Sequence, residues 1–275
     1  MNQLKISILV ITLFASVVTA QKPFKFQTCM QKDSFLVGEP IEIGVSILNE
    51  GNTTQPHPGG VGMKLFNETG NPMRYTGPSG NWFSPSISEI KPGEEVSRII
   101  EVTGLWGERY CRINLHRIIA AGKYELQVYY TPPDLQTETT KVALQISNPE
   151  GDDKIVYDSF VNLSKGFHGD AEYAEALRLL HEAHLNSVYT PVVLVCLGAM
   201  YDIGLDDIQK ATGVYKELVE RYPWSIDSQG ALEMFLKKMP SNEERIDYLK
   251  RLLPKSINSP AQKVIELKLK TEMEK

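Results

Sequence analysis

The sequence is poor in cysteine and lacks the short motifs that mark many catalytic and cofactor sites. It has 275 residues and three cysteines, and no two cysteines are spaced as CxxC. Dithiol redox centres and zinc ribbons need such pairs, so neither is predicted. The chain also has no GxSxG, no phosphate-binding Gly-Lys loop and no GxGxxG ahead of a helix. These absences give no support to the enzyme classes that depend on those motifs.

The chain also lacks an excess of positive charge. The formal net charge is −5, which argues against a nucleic-acid partner because a basic patch is the expected footprint of one. Hydrophobic residues make up 42% of the chain and charged residues 23%, as is normal for a globular protein. No segment beyond the N-terminus is long and apolar enough to predict a membrane span.

The first residues have the pattern of a secretory signal peptide. Lys5 precedes an apolar run from Ile6 to Val18, and Thr19 and Ala20 follow at the cleavage-type positions. The run is shorter than the ~20 residues that a membrane-spanning helix needs. We therefore predict that residues 1–20 are cleaved after Ala20 and that the mature protein is secreted or periplasmic. The alternative is a retained N-terminal anchor.

The three cysteines fall into two groups. Cys29 and Cys111 lie in the first half of the chain, and an exported protein can form disulfides. A Cys29–Cys111 bridge is therefore a hypothesis, which spacing alone does not establish. Cys196 lies in an apolar helical run and is interpreted as a buried small hydrophobe.

Residues 21–148 alternate apolar and polar side chains with a period of two. In PIEIGVSIL, for example, Ile41, Ile43, Val45 and Ile47 share one face. GKYELQVYY and TKVALQIS repeat the alternation, and Gly-Pro-Asn turn clusters separate the segments. Several short strands without a convincing intervening helix predict a β-sandwich.

This pattern resembles the Ig-like and fibronectin-like domains of secreted and cell-surface proteins. The segment AAGKYELQVYY is similar to their penultimate strand, in which a Tyr follows a corner that contains Gly. The resemblance implies that the hydroxyl of Tyr124 ties back to a loop. The cysteine pair and the core Trp spacing of antibody domains are absent, so the resemblance places no functional residues.

After a linker at residues 149–152, residues 153–275 contain sequence signals for the starts of several helices. A predicted N-cap residue precedes a proline at two positions, Thr190-Pro191 and Ser259-Pro260. A capping box is predicted at Ser241 with Glu244. Apolar residues spaced at three and four between these starts predict about seven short helices. The chain is therefore predicted to be all-β and then all-α.

The centre of the helical half resembles the tetratricopeptide repeat. Small and large residues alternate there as in that family, at Leu194, Leu197, Gly198, Tyr201, Ala211, Tyr215 and Pro223. In this interpretation Gly198 and Ala211 let two helices approach closely, and the two Tyr rings fill the space beside them. The pattern recurs one repeat upstream and weakens downstream. The alternative is a generic helical bundle.

The resemblance implies a concave groove lined mainly by the first helix of each repeat. The positions that it marks are Asp158, Lys165, His168, Asp202, Gln229 and Glu233. The alternative is that these residues are solvated surface positions without a ligand.

A second candidate surface is the loop MRYTGPSGNWFSPS, which contains Tyr75, Trp82 and Phe83. Exposed aromatic side chains on a loop suit a protein or glycan partner. The alternative is that Trp82 and Phe83 fold back and plug the end of the sandwich.

The only histidine pair with helical spacing is His181 and His184, in the segment HEAH. Its spacing is not that of the zinc-protease helix, and no third ligand is evident, so we interpret it as solvated surface.

We expect no catalytic residue, no metal and no cofactor. The predicted function is a non-catalytic extracytoplasmic scaffold for a protein, peptide or glycan. The alternative is a protease inhibitor or an accessory subunit of an enzyme, acting through sandwich loops such as GNTTQPHPGG.

Overall fold

The structure is a computed structural model that describes residues 24–56, 61–76, 89–106, 108–109, 117–130, 138–166 and 169–275. The predicted signal peptide, residues 1–20, lies outside these ranges. So do four of the residues discussed above, namely Trp82, Phe83, Cys111 and His168. The predictions made for them stay predictions.

The first part of the chain is a β region. Its strands in the described ranges are β1 (Phe24–Cys29), β2 (Ser34–Leu36), β3 (Glu42–Asn49), β4 (Gln55–Pro56), β5 (Val61–Asn67), β6 (Glu89–Ile90), β7 (Glu95–Glu101), β8 (Glu108–Arg109), β9 (Arg117–Ile118), β10 (Gly122–Tyr130) and β11 (Glu138–Ser147).

Two sheets form the body of this region. One has the order β1-β3-β7 and is antiparallel throughout. The other has the order β2-β11-β10-β5, in which only the β2–β11 pair is parallel. Two short ribbons, β4–β6 and β8–β9, complete the described pairings. The buried faces of both sheets contribute to one hydrophobic core, as the alternating pattern predicts.

The corner before β10 is confirmed as the sequence predicts it. The hydroxyl of Tyr124 donates a hydrogen bond to the carbonyl oxygen of Ala120 over 2.9 Å. The bond ties the start of the strand to the preceding loop and fixes where β10 enters its sheet.

Strand β3 is more buried than its alternation predicts. Ile43, Val45 and Ile47 belong to the β core as expected, but Gly44 and Ser46 on the other face are buried too. The reason is a helix from the second half of the chain, which packs over this face. A Cβ atom on Gly44 would lie 3.1 Å from Cα of Pro260, tighter than most such contacts, so glycine at this position favours the close approach of the helix.

The second part of the chain is a helical region. Its helices are α1 (Gly151–Lys165), α2 (Asp170–Ala183), α3 (Thr190–Ala199), α4 (Ile208–Arg221), α5 (Ile226–Lys238), α6 (Asn242–Leu252) and α7 (Pro260–Met273). A π-helical turn at Met200–Gly204 follows α3, and a 3-10 turn at Leu253–Ser256 follows α6. In the described part of the chain, none of the helices combines the length and the apolar character that crossing a bilayer requires.

The predicted helix starts are correct to within one residue, but the predicted capping hydrogen bonds are only partly confirmed. The hydroxyl of Ser241 accepts a hydrogen bond from the N–H of Glu244, as an N-cap should. Helix α7 begins at Pro260 with Ser259 at the N-cap, as predicted, whereas α3 begins at Thr190, so its N-cap is Tyr189 and not the predicted Thr190. However, the Thr190 hydroxyl donates to the carbonyl of His184, and that of Ser259 donates to the carbonyl of Ser256. Neither caps its own helix.

Consecutive helices pack against one another from α1 to α5, and α6 packs against α7. At the α3–α4 contact, a Cβ atom on Gly198 would overlap the ring of Tyr215. Ala211 and Tyr201 are buried in the same core. The small and large residues at this crossing therefore play the packing roles that the sequence assigns to them.

Candidate functional site: a cleft between the β region and the helices

Helices α1, α3, α5 and α7 lie next to the β region. Each of these helices, or the residue just before it, contacts that region. The ring of Tyr157 in α1 lies against Gly38, and the hydroxyl of Tyr189, just before α3, donates to the carbonyl oxygen of Val37 over 2.6 Å. Helices α5 and α7 also meet β3 and β7. The first helices of the predicted repeats, which should line a ligand groove, thus face the protein's own β region.

This arrangement leaves an open cavity of about 830 Å³ between the two regions. We call it the junction cleft. Charged and aromatic side chains from both halves of the chain line it, among them Lys32, Glu39, Arg221, Tyr222, Trp224 and Lys255. The volume lies in the range of ~300–1,000 Å³ that ligand pockets occupy.

Arg221 organises the aromatic side of the cleft. Its guanidinium donates to Oε1 of Glu217 over 2.6 Å and to the carbonyl of Leu185 over 2.9 Å. The same group lies 5.2 Å from the centre of the Tyr222 ring, which meets Trp224 edge to face at 5.4 Å. Two hydrogen bonds therefore hold the arginine in place beside the Tyr222 ring.

Lys32 and Lys255 supply the cations at the rim. Lys32 pairs with Glu39 at 2.5 Å, and Lys255 donates to the carbonyl of Glu220 at 2.8 Å. Glu39 also accepts from the N–H of Leu36 over 3.0 Å. Burial raises the pKa of the Glu39 carboxyl above its usual value, although the ammonium of Lys32 opposes the shift.

A smaller cavity of about 60 Å³ lies at the same junction, and Glu39, Glu42 and Trp224 are among the residues that line it. Oε1 of Glu42 accepts a hydrogen bond from the N–H of Ile226, at the start of α5, over 2.9 Å. Burial raises the pKa of Glu42 well above its usual value, and the nearby carboxylates of Asp227 and Glu101 add to the rise. Glu42 thus acts as a cap that the β region provides for a helix.

The interpretation of the histidine pair as solvated surface is wrong for His181. Its side chain is 8% exposed, because it packs between α2 and α4, where Nε2 lies 3.0 Å from Oε1 of Glu217. His184 is partly buried, with 17% of its side chain exposed, and its Nδ1 lies 2.8 Å from Oδ1 of Asp152. Among the described residues, no group of three or more His, Cys, Asp or Glu is placed to hold a metal ion.

The structure does not gather the predicted groove residues into one site. Asp158 pairs with Lys154 at 2.6 Å, Lys165 is exposed at the end of α1, and Asp202 lies in the π-helical turn. Gln229 donates to the carbonyl of Pro223 over 3.0 Å. Glu233 lines a cavity, but that cavity is not the junction cleft.

The predicted loop site is described only at Tyr75. This residue is 42% exposed, and its ring meets Trp106 edge to face at 5.7 Å. In GNTTQPHPGG, Gln55 and Pro56 form β4, and residues 57–60 lie outside the described ranges. Cys29 is exposed with a free thiol, but its predicted partner Cys111 is not described.

The residues of the junction cleft were not singled out in the sequence. The available signal was Tyr222-Pro223-Trp224, an aromatic pair that directly follows the end of α4. Lys32 and Glu39 carry no signal of their own, because they reach the cleft only through the packing of two segments almost 200 residues apart in sequence.

Comparisons with known proteins do not assign the chain to a family. No protein-family model matches it, and no curated protein matches it. Solved structures match about half of the chain. They include the periplasmic chaperone SfaE, at 13% identity and a TM-score of 0.26 over 46% of this chain and 58% of that one.

Two further matches are similarly distant. A chain of the Salmonella enterica SafA pilin–SafB chaperone complex matches at 13% identity and a TM-score of 0.28, over 50% of this chain and 63% of that one. A β-glucosidase from Listeria innocua matches at 13% identity and a TM-score of 0.29, over 46% of this chain and 16% of that one. Each match spans less than two thirds of the other chain. At these TM-scores the likeness carries no argument about function.

Proposed function

We propose that this protein is a non-catalytic binding protein, secreted or periplasmic, that holds a partner protein or peptide in the junction cleft. One observation carries the proposal. A cavity of about 830 Å³, lined by aromatic rings and cations, lies where direct contacts fix the two regions against each other. Rigid placement of such groups favours binding, because little side-chain entropy is lost when the partner arrives.

The side chains at the cleft are those expected at a protein-binding site. Tyr, Trp and Arg are the residue types most enriched among the side chains that dominate binding energy. Tyr222, Trp224 and Arg221 adjoin one another there. The cations at the rim favour a partner with acidic side chains near its contact surface.

The absence of catalysis is part of the proposal. Glu39 and Glu42 are the carboxyl groups at this junction whose pKa values are raised, and raised values often mark acid–base catalysts. Here each accepts a hydrogen bond from a backbone N–H, at Leu36 and Ile226 respectively. Structural roles in a turn and a helix cap account for both.

We also propose the finer architecture. The β region is an Ig-like sandwich, which the corner bond from Tyr124 to Ala120 supports. The helical region is a tetratricopeptide-like stack, which the close contact of Gly198 with Tyr215 supports. In this arrangement the first helix of each pair binds the sandwich, and the partner binds at the junction.

Affinity capture with matched charge reversals tests the proposed site. The mature protein and its variants are used to capture partners from the extracytoplasmic fraction of the source cells, followed by mass spectrometry. Lys255→Glu, at the cleft, and Trp224→Ala should each reduce capture of a specific partner at least tenfold. Lys165→Glu makes the same charge change at a described position that does not line the cleft, so it should leave capture unchanged.

Circular dichroism and thermal unfolding of each variant exclude loss of fold as the cause. Equal capture by wild type, Lys255→Glu and Trp224→Ala would refute the cleft as the site. Loss of capture in Lys165→Glu alone would instead favour the exposed surface of α1. Turnover of the captured partner by the purified protein would refute the non-catalytic assignment.

A further inference from the structure

A second cavity lies between α5 and α7, next to β7, and has a volume of about 610 Å³. We call it the α5–α7 groove. Its floor is apolar and consists of Leu236 from α5 with Val264 and Leu267 from α7. In the described part of the chain it shares no lining residue with the junction cleft.

The groove exists because α7 has two apolar faces. Ala261 and Ile265 are buried in the core that α7 shares with α5 and α6. Val264 and Leu267 are three residues apart, so they lie next to each other on the helix surface, and both remain partly exposed. A helix with a second apolar stripe is typically covered on that side too. The described structure leaves this stripe open to a ligand.

The net charge of the side chains around the groove is positive, whereas that of the whole protein is negative. The groove is lined by four cations, namely Lys237, Arg245, Lys268 and Lys275, and by two carboxylates, Glu233 and Glu272. Their formal charges leave an excess of two positive charges. The complete chain has a formal net charge of −5. A positive rim around an apolar floor complements a ligand with an anionic head and an apolar tail.

One carboxylate already occupies part of this rim. Glu233 of α5 pairs with Lys268 of α7 at 2.8 Å, and the hydrogen bond from Lys268 lowers the pKa of Glu233. Lys237 lies one turn further along α5, on the same face, and its charge also lowers the pKa of Glu233, although its ammonium makes no hydrogen bond or salt bridge among the described residues. A ligand carboxylate can therefore pair with Lys237 and compete with Glu233 for Lys268.

We propose that the α5–α7 groove binds a single fatty acid, with its carboxylate at Lys237 and Lys268 and its chain along Leu236, Val264 and Leu267. An apolar floor of three side chains bordered by cations matches one acyl chain and its carboxylate. This site is independent of the proposed function of the junction cleft.

Isothermal titration of the mature protein with laurate, below its micellar concentration, tests the proposal. Lys237→Glu should weaken laurate binding at least tenfold, because it replaces a cation of the groove by a negative charge that repels the laurate carboxylate. Glu233→Gln should strengthen binding about threefold or more, because it releases Lys268. Lys91→Glu makes the same charge change in an exposed turn of the β region and should leave binding unchanged. Lys255→Glu, in the cleft, should also leave it unchanged.

Dodecyltrimethylammonium has the same chain length and a cationic head, and it should bind at least tenfold more weakly than laurate. Equal binding of the two amphiphiles, or equal laurate affinity in wild type and Lys237→Glu, would overturn the proposal. If Lys237→Glu does not fold, Lys237→Gln provides the same comparison with a smaller expected loss. Binding of an acidic amphipathic peptide that Lys237→Glu abolishes, with no binding of laurate, would identify a partner helix as the occupant and refute the fatty acid.

Discussion

The hydroxyl of Tyr189 donates a hydrogen bond to the carbonyl oxygen of Val37 over 2.6 Å and so joins two residues that are 152 positions apart in the sequence. Both residues are buried. Burial also raises the pKa of the Tyr189 phenol, so the hydroxyl keeps its proton and remains a donor. This bond is one of the contacts that hold the β region and the helices in a single arrangement, on which the junction cleft depends.

Replacing Tyr189 by Phe should destabilise the protein by about 1–3 kcal/mol, because the buried carbonyl of Val37 loses this partner. Denaturant unfolding measures the change. Tyr222→Phe is the matched control, since its hydroxyl bond to the Leu185 carbonyl is exposed and longer, at 3.2 Å. We expect the control to change stability by less than about 1 kcal/mol. Equal effects in the two variants would show that the Tyr189 bond has no special role.

Two Gly→Ala changes, one at the α3–α4 contact and one at an exposed position of α4, should have opposite effects on stability. Gly198→Ala should destabilise the protein by about 1–3 kcal/mol, since the added Cβ atom overlaps the ring of Tyr215. Gly213 is exposed within α4, and a Cβ atom there would meet no other atom within 4 Å. Gly213→Ala should therefore stabilise the protein by about 0.5–1 kcal/mol through helix propensity. Thermal unfolding of both variants checks the signs, and a neutral Gly198→Ala would contradict the packing argument.

Local features of the fold were predictable because they depend on neighbours in sequence. The alternation of Ile43, Val45 and Ile47 predicted a strand face, and Ser241 predicted a helix start. The full burial of β3 was not predictable. It depends on Gly44 meeting Pro260, a contact between segments that are far apart in the chain.

The candidate site was much less predictable than the fold. The repeat pattern indicated groove positions on the first helices, but it contains no information about what packs against them. His181 shows the same limit. Its position on α2 looked solvated, and only the packing of α4 buries it beside Glu217. The cleft residues Lys32 and Trp224 meet because of tertiary packing, which no short pattern encodes.

Thiol labelling distinguishes the free Cys29 of the structure from the predicted bridge to Cys111. With a free thiol, native protein should react with iodoacetamide at Cys29, and Cys196, which is buried, should react only after unfolding. Partial burial raises the pKa of Cys29 above its usual value of 9.0, so its labelling rate should still be rising at pH 9. Peptide mapping by mass spectrometry locates the label. Labelling of Cys29 that requires prior reduction would instead demonstrate a disulfide.

Glu42 predicts a dependence of stability on pH that is opposite to that of most carboxylates. Because burial raises its pKa well above 4.5 in the folded protein, the folded state binds a proton at this site more tightly than the unfolded state. Stability from this group is therefore greatest below pH 4.5 and falls as the pH rises towards the raised pKa. The maximal slope for one group is about 1.4 kcal/mol per pH unit.

The variant Glu42→Gln isolates this effect, because an amide oxygen can still accept the hydrogen bond from Ile226 but does not ionise. Its stability relative to wild type should increase between pH 4.5 and pH 8, measured by denaturant unfolding. Glu125→Gln is the control, since Glu125 is a surface carboxylate whose pKa is lowered by hydrogen bonds from Gln127 and Lys141. That variant should show the opposite trend or none. A stability advantage of Glu42→Gln that shrinks as the pH rises would mean that the β region binds α5 through an ionised carboxylate that is favourable at neutral pH.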